Sequence, residues 1–140
     1  MIELILEGPQ DTIALGQRLA PLLRAGDVLL LEGPLGAGKS ELARALLRAL
    51  ANDPALEVPS PTFTLVQSYE TPIGLVQHFD LWRLDGHAAI RELGWDEAEI
   101  ALVEWPDRLG PLRPGDALGV TLEYAGTGRR AHLWGWEGRL

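Results

Sequence analysis

The segment GPLGAGKS at positions 33–40 constrains the fold of this chain more than any other stretch. It fits the pattern G-x-x-x-x-G-K-S/T of a P-loop, in which a glycine-rich turn joins a buried strand to a helix and wraps around phosphate groups. The motif consists of Gly33, Pro34, Leu35, Gly36, Ala37, Gly38, Lys39 and Ser40. A chain that carries it is expected to form an α/β fold with a phosphate site at the turn.

The residues on either side of the motif have the character that a P-loop needs. Residues 27–32 read DVLLLE, an apolar run typical of a buried parallel strand. In residues 41–50, Leu42, Leu46 and Leu50 recur at helical spacing. Strand, turn and helix together would direct backbone N–H groups and a helix N-terminus at an anion.

Lys39 is the only lysine of the chain, whereas eleven arginines carry the other basic positions. A compact ammonium on a flexible stem reaches between the β- and γ-phosphates of a nucleotide, and a planar guanidinium is too wide for that slot. Gly33, Gly36 and Gly38 let the backbone wrap around phosphates without Cβ clashes. The hydroxyl of Ser40 can bind Mg²⁺. The motif therefore predicts a site for a magnesium nucleotide.

Charge and cysteine content narrow the classes of function. The 140 residues carry a formal net charge of −8, which argues against broad nucleic-acid binding and is compatible with a protein partner that has a basic face. Cysteine is absent, which excludes disulfide scaffolds and zinc–thiolate sites and suits the cytoplasm. Apolar runs are short and the first residues are not basic, so neither a membrane span nor a secretory signal is expected.

Hydrophobic alternation predicts the other strands. They are expected at residues 2–6, 62–70, 75–81 and 100–104. A turn at 71–74 would make the second and third of these antiparallel. Residues 116–125 and 129–136 read as a hairpin closed by residues 126–128. Its alternation directs one set of side chains toward a core, namely Val120, Leu122 and Tyr124.

Helical periodicity is limited to a few segments. Beside the P-loop helix, helices are expected at residues 10–23, capped by Asp11 or Thr12, and at 87–93. The resulting fold class is α/β, a single P-loop NTPase-like domain spanning residues 1–140. It should have a mixed sheet with a parallel core and an antiparallel extension, and few helices.

Two carboxylates are candidates for the chemistry of a nucleotide-hydrolysing site. Such a site needs an acidic group near Mg²⁺, usually at the carboxyl end of a strand beside the P-loop strand. Asp80 follows the segment VQHF and Glu104 follows IALV, and the wholly aliphatic run before Glu104 is the better match. In the alternative interpretation, each carboxylate only caps its strand.

Several other polar or aromatic residues allow two interpretations. The hydroxyl-rich segment SPTFT at residues 60–64 could contact the γ-phosphate and respond to its loss, or be an ordinary turn. His78 could carry a proton or be a packed side chain. Trp105 could belong to the core or anchor a surface contact. Arg129 and Arg130 could meet phosphate, substrate or a partner, or protect an edge strand from aggregation.

Four segments, in this order, resemble the bacterial TsaE (YjeE) family: GPLGAGKS at 33–40, SPTFTLV at 60–66, HFDLWRL at 78–84 and VEWP at 103–106. The resemblance covers nearly the whole chain, and the second and third segments distinguish this family from other P-loop proteins. It implies an ATPase required for threonylcarbamoyladenosine in tRNAs that read codons beginning with A. It also implies that this ATPase resets or remodels a complex of TsaB and TsaD and is not itself the threonylcarbamoyl transferase.

The resemblance also implies roles for single residues. Lys39 would hold the phosphates, and Ser40 and Glu104 would bind Mg²⁺. Asp80 would position or activate the attacking water. Residues 60–65 would act as a nucleotide-sensing switch.

Further nucleotide contacts are expected on both sides of the P-loop. Thr12, Gly128 and Arg129 match places where the family approaches the nucleotide. Thr62, in the switch segment, and Glu41, directly after the motif, complete the predicted nucleotide-binding set.

Three positions depart from the usual pattern of the family. Trp82 replaces a tyrosine, which keeps an aromatic ring and leaves any role of the phenol in doubt. Pro34 stands where an acidic residue is common, and Ser40 where threonine is common. Nucleotide binding should survive both changes, because the loop uses backbone N–H groups and any hydroxyl can meet Mg²⁺.

Two other functions share the P-loop. A small-molecule kinase would need a lid with several arginines, and residues 85–99 offer only Arg91. A nucleotide-gated binding module would hardly hydrolyse ATP. For the tRNA-modification function, the negative net charge suggests that any contact with tRNA is through the partner proteins. Neither DNA nor a membrane is expected as a partner.

Overall fold

The computed structural model describes residues 2–140, and its seven strands form one sheet. The strands are β1 Ile2–Leu6, β2 Val28–Glu32, β3 Val66–Thr71, β4 Gly74–Asp80, β5 Ile100–Glu104, β6 Leu118–Ala125 and β7 Gly128–Trp134. Their order across the sheet is β1-β7-β6-β2-β5-β4-β3. Strands β6, β2, β5 and β4 run parallel, while β3, β7 and β1 pair antiparallel with their neighbours. The predicted mixed sheet, with a parallel core and an antiparallel extension, is confirmed.

Helices α1, Pro9–Leu19, and α2, Lys39–Leu50, pack on one face of the sheet and cover the larger of its two cores. The two helices approach closely, because a Cβ atom at Gly16 would lie only 2.6 Å from the Cβ atom of Ala45. The smaller core on the other face lies under short 3₁₀ turns. None of the helices in residues 2–140 is long and apolar enough to span a membrane.

The first helix is shorter than predicted. The prediction of residues 10–23 overran its end, since α1 stops at Leu19 and continues as the 3₁₀ turn Ala20–Leu22. Pro21 explains the difference, because it has no N–H to donate within an α-helix and its ring clashes with the carbonyl four residues earlier.

Two further helix predictions were wrong in detail. Gly8 is the N-cap of α1, whereas Asp11 and Thr12 both lie inside the helix. The helix predicted at 87–93 forms only the 3₁₀ turn Ile90–Leu93. A segment this short does not offset the cost of nucleating an α-helix.

The strand predicted at 62–70 begins later, at Val66. The preceding residues form a turn in which the Leu65 N–H donates to the carbonyl of Pro61 over 2.6 Å. Leu65 has a φ of 71°, in the left-handed region that a side chain disfavours. The turn predicted at 71–74 is confirmed as the connection between β3 and β4.

The C-terminal hairpin is confirmed as the pair β6 and β7, with two corrections. Tyr124 does not face a core, since 52% of it is exposed. Strand β7 pairs on both sides, so Arg129 and Arg130 do not protect an edge.

Candidate functional site

The candidate site lies where three parallel strands end at the same edge of the sheet. The P-loop follows β2, while Glu104 and Asp80 are the last residues of β5 and β4. In the strand register, Glu104 stands directly between Leu31 and Asp80. The two carboxylates found by sequence therefore lie side by side next to the P-loop, and both are buried.

Glycine is required at the turns of the P-loop. Gly33 has a φ of 147°, and a Cβ atom there would lie 2.4 Å from the carbonyl oxygen of Leu122. Gly38 has a φ of 107° and is the N-cap of α2. The backbone N–H groups of the first turn of α2 have no partners within the helix, so this end of α2 suits an anion.

Lys39 is held inside the loop that it belongs to. Only 5% of the residue is exposed, and its Nζ donates to the carbonyls of Gly33 over 2.7 Å and Pro34 over 2.9 Å. The ammonium also lies 4.1 Å from the ring centroid of Trp105. Burial lowers the pKa of Lys39, and the negative charges of neighbouring carboxylates, Glu104 first, only partly oppose this shift. The site therefore presents a partly dehydrated cation at the turn.

Glu104 connects the P-loop helix to strand β4. Its Oε1 accepts a hydrogen bond from Ser40 Oγ over 3.0 Å, and its Oε2 lies 2.6 Å from His78 Nε2. Hydroxyl and carboxylate oxygens are the ligands that Mg²⁺ prefers, and proteins usually supply only one or two of them beside phosphate and water oxygens. The pair of Ser40 and Glu104 fits that chemistry.

Asp80 ties the switch segment to the sheet. Its Oδ2 accepts from Thr62 Oγ1 over 3.0 Å, and its Oδ1 accepts from the Trp82 N–H over 3.0 Å. Its own N–H donates to the carbonyl of Leu65 over 2.9 Å. Ser60 Oγ lies 2.8 Å from Thr62 Oγ1. Residues 60–65 are thus arranged around the Asp80 carboxylate.

Two tryptophans form a wall of the site that the sequence did not predict as a unit. The ring centroids of Trp82 and Trp105 lie 4.4 Å apart at an interplanar angle of 44°. Trp105 adopts a left-handed conformation with a φ of 59°, which turns its ring beneath the Lys39 ammonium. The available signal was position, because each tryptophan follows a candidate carboxylate by one or two residues.

All of the predicted nucleotide-binding residues except Gly33 and Pro34 line two neighbouring cavities. The first, of about 270 Å³, is bordered by the acidic and phosphate-binding candidates, including Leu35, Lys39, Ser40, Thr62, Asp80 and Glu104. The second, of about 290 Å³, is bordered by Thr12, Ala37, Gly128 and Arg129. Both cavities share Gly36, Gly38 and Glu41, so the P-loop lies between them.

The hairpin holds the P-loop from outside, a contact that the sequence did not predict. Tyr124 donates its hydroxyl to the Leu35 carbonyl over 2.5 Å, which explains why its ring leaves the core. Arg129 Nη2 donates to the Gly36 carbonyl over 3.2 Å, and its guanidinium lies 4.6 Å from the centroid of the Tyr124 ring. These contacts stabilise the loop in one conformation.

We expect Tyr124→Phe to weaken binding of ADP about two- to tenfold, because one ordinary hydrogen bond contributes about 0.5–1.5 kcal/mol. Titration calorimetry measures the effect. Tyr69→Phe is the matched control, since the buried Tyr69 hydroxyl has no hydrogen-bond partner among the described residues. Equal affinities of the Tyr124→Phe variant and the unmodified protein would show that the Tyr124 hydroxyl does not order the loop for binding.

Comparison with known proteins finds matches that cover most of the chain. A family model described as "Threonylcarbamoyl adenosine biosynthesis protein TsaE" matches residues 6–132. Proteins with the name "tRNA threonylcarbamoyladenosine biosynthesis protein TsaE" are among the relatives. The one from Aquifex aeolicus is 41% identical over 109 residues, covering 78% of this chain and 80% of its own length. The one from Rickettsia felis is 35% identical over 130 residues, covering 91% and 75%.

A solved structure has the same fold. The crystal structure of YdiB from Bacillus subtilis superposes with a TM-score of 0.74 at 25% sequence identity, covering 94% of this chain and 83% of that one.

Proposed function

The chain belongs to the TsaE family, and from this premise we propose that it binds and hydrolyses Mg-ATP as an accessory protein for threonylcarbamoyladenosine modification of tRNA. The observation that carries the proposal is the meeting of Lys39, Ser40, Asp80 and Glu104 at one cavity beside the P-loop. A lysine, a hydroxyl and acidic groups next to a glycine-rich turn are the set that phosphoryl transfer to water needs.

Lys39 would bind the β- and γ-phosphates. Its ammonium would exchange the Gly33 and Pro34 carbonyls for phosphate oxygens. The ammonium is charged in both sets of bonds, but a phosphate oxygen carries negative charge and a carbonyl oxygen does not, so Coulomb attraction favours the exchange. The free N–H groups at the start of α2 would support the same phosphates.

Ser40 and Glu104 would hold the magnesium ion of the nucleotide. Bound there, Mg²⁺ would neutralise charge that develops on the phosphates during transfer. Glu104 is kept in place at the end of β5, and its Oε1 already faces Ser40 Oγ.

Asp80 would position or activate the attacking water, because its carboxylate borders the same cavity as Lys39 and can accept a proton. The hydrogen bond from Thr62 to Asp80 would couple the γ-phosphate to the switch segment at the surface. Phe63, the next residue, is 82% exposed, so a change at Asp80 would alter an apolar surface. Residues 60–65 would then report the state of the nucleotide.

The nucleoside would occupy the second cavity. Thr12, Gly128 and Arg129 border that cavity, and Glu41 borders both. In this proposal the P-loop would lie between the phosphate and nucleoside ends of one ligand.

TsaB and TsaD are the proposed partners, in the cytoplasm, with the ATP cycle resetting or remodelling their complex. Any effect on tRNA would pass through those proteins, in keeping with the net charge of −8. The kinase alternative is less well supported, because residues 85–99 pack over the opposite face of the sheet, where Ile90 is buried in the smaller core.

Release of phosphate from ATP tests the proposal. We expect the full chain to release phosphate with Mg²⁺ and no acceptor, and faster with purified TsaB and TsaD. Release that requires an added metabolite would identify a kinase instead. Tight ADP binding with negligible turnover, even with both partners present, would identify a nucleotide-gated module.

We expect Glu104→Ala to weaken Mg²⁺-dependent ADP binding at least about tenfold. Removing a residue that only supports a metal ligand already costs about ten- to hundredfold, and Glu104 is proposed to be a ligand itself. Binding in EDTA should change little, because the carboxylate is proposed to act through the ion. Calorimetry in Mg²⁺ and in EDTA measures both affinities. Glu123→Ala is the control, because the Glu123 carboxylate pairs with His132 and borders neither cavity of the site. Equal losses in both conditions would point to a structural role for Glu104.

A further inference from the structure

His78 is a buried polar residue of β4, and its register partner on β3 is Gln67. Only 1% of the residue is exposed. On β4 it lies on the same face as Val76 and Asp80, and its register partner on β5 is Leu102. Its ring extends past Leu102 to the carboxylate of Glu104, the next residue on that face of β5.

The only polar partner of the His78 ring among the described residues is Glu104. Nδ1 is buried without a hydrogen-bond partner in residues 2–140, while Nε2 lies 2.6 Å from Glu104 Oε2. A buried polar atom without a partner costs stability, and an apolar side chain would fill the same space without that cost. The presence of an imidazole here is therefore explained by its contact with Glu104 and not by packing.

The two oxygens of Glu104 have separate partners. Oε2 faces His78, and Oε1 faces Ser40 Oγ at 3.0 Å. A carboxylate that accepts from Ser40 and is held at its other oxygen cannot rotate freely. The hydrogen bond places the imidazole proton on Nε2, because the carboxylate oxygen is the acceptor.

We propose that His78 is a positioning residue for magnesium binding. By donating Nε2–H to Oε2, it holds Glu104 so that Oε1 remains beside Ser40 Oγ and offers a single oxygen to the ion that accompanies the nucleotide. The inference rests on the proposed function, since it requires a magnesium nucleotide at the P-loop. Groups behind metal ligands orient them in this way and commonly change metal affinity ten- to hundredfold.

Two substitutions at His78 separate its hydrogen bond from its volume. His78→Phe keeps a ring and removes the donor, whereas His78→Gln keeps a nitrogen donor near the position of Nε2. Calorimetric titration with ADP, in Mg²⁺ and in EDTA, gives the factor by which Mg²⁺ strengthens binding. We expect His78→Phe to reduce that factor about ten- to hundredfold while affinity in EDTA is kept, and His78→Gln to restore most of it.

His132→Phe is the matched control. His132 also pairs with a carboxylate, Nε2 lying 3.0 Å from Glu123 Oε1, but it borders neither cavity of the candidate site. This variant should leave both affinities unchanged.

Two results would overturn the inference while leaving the proposed function intact: a full Mg²⁺ effect in His78→Phe, or equal losses with and without Mg²⁺. If the unmodified protein binds ADP equally well in Mg²⁺ and in EDTA, the proposed metal site itself fails. Nitrogen-15 NMR of the unmodified protein provides a test without any variant. We expect the His78 proton on Nε2, and a proton on Nδ1 alone would contradict the proposal.

Discussion

Replacing Lys39 by methionine should lower the affinity for Mg-ATP and Mg-ADP by about a hundredfold or more, since a hydrogen bond to a charged group contributes about 1.5–3 kcal/mol and the ammonium is proposed to make several. Methionine retains a flexible apolar stem against Trp105 and removes only the charge and its donors. Titration calorimetry at constant Mg²⁺ measures the change.

The fold should tolerate this substitution. The variant loses the bonds from Nζ to the Gly33 and Pro34 carbonyls, but it also removes a charge whose burial lowers the pKa of Lys39. Loss of the hydrogen bonds destabilises the fold and removal of the buried charge stabilises it, so the melting temperature should change little. Lys39→Ala should behave like Lys39→Met, and Lys39→Arg should not restore binding, because a guanidinium is too wide for the site.

Arg44→Met is the control for loss of a basic residue from the same helix, and it should bind nucleotide normally. Full affinity in Lys39→Met would contradict the assignment of Lys39 to the phosphates. A large fall in melting temperature would instead show that the lysine mainly holds the loop together.

Replacing Asp80 by asparagine should slow ATP hydrolysis about a hundredfold or more, within the range that general acid–base groups contribute, and leave ADP affinity within a few fold. The amide keeps one oxygen to accept from the Trp82 N–H, and its NH₂ group can donate to Thr62 Oγ1 in place of the present bond. The switch segment should therefore keep its position while the proton acceptor is lost. Phosphate release with TsaB and TsaD measures the rate.

Thr62→Val distinguishes catalysis from positioning at Asp80. It removes the hydrogen bond from the Thr62 hydroxyl to Asp80 but leaves the carboxylate. If Asp80 acts on water, Asp80→Asn should be much slower than Thr62→Val. Similar rates for the two variants, or lost ADP binding in Asp80→Asn, would show that Asp80 mainly anchors residues 60–65.

The parts of the site that were predictable from sequence are those set by local pattern. A glycine-rich turn after an apolar run places Lys39 and Ser40 at the start of a helix, whatever surrounds them. Asp80 and Glu104 could be found because parallel strands end at a common edge, so a carboxylate at the end of each meets the other.

The parts that were missed depend on contacts between distant segments. Alternation along β6 predicts the face of the sheet on which Tyr124 lies. It does not predict that the core ends before Tyr124, so that the side chain contacts the P-loop instead. The contact of His78 with Glu104 requires the register of β4 against β5, which neither strand determines alone. The left-handed conformations of Leu65 and Trp105 are likewise imposed by their surroundings, because the residue types themselves disfavour them.

The central claim is that Lys39 and its loop bind the phosphate chain of a nucleotide. The most direct test is the affinity of the full chain for ATP, ADP and AMP in Mg²⁺, measured by calorimetry beside Lys39→Met. We predict that ATP and ADP bind far more tightly than AMP, which has no β-phosphate for the ammonium, and that the substitution removes most of this difference. Equal affinity for all three nucleotides, or a difference that persists without the lysine, would contradict the account.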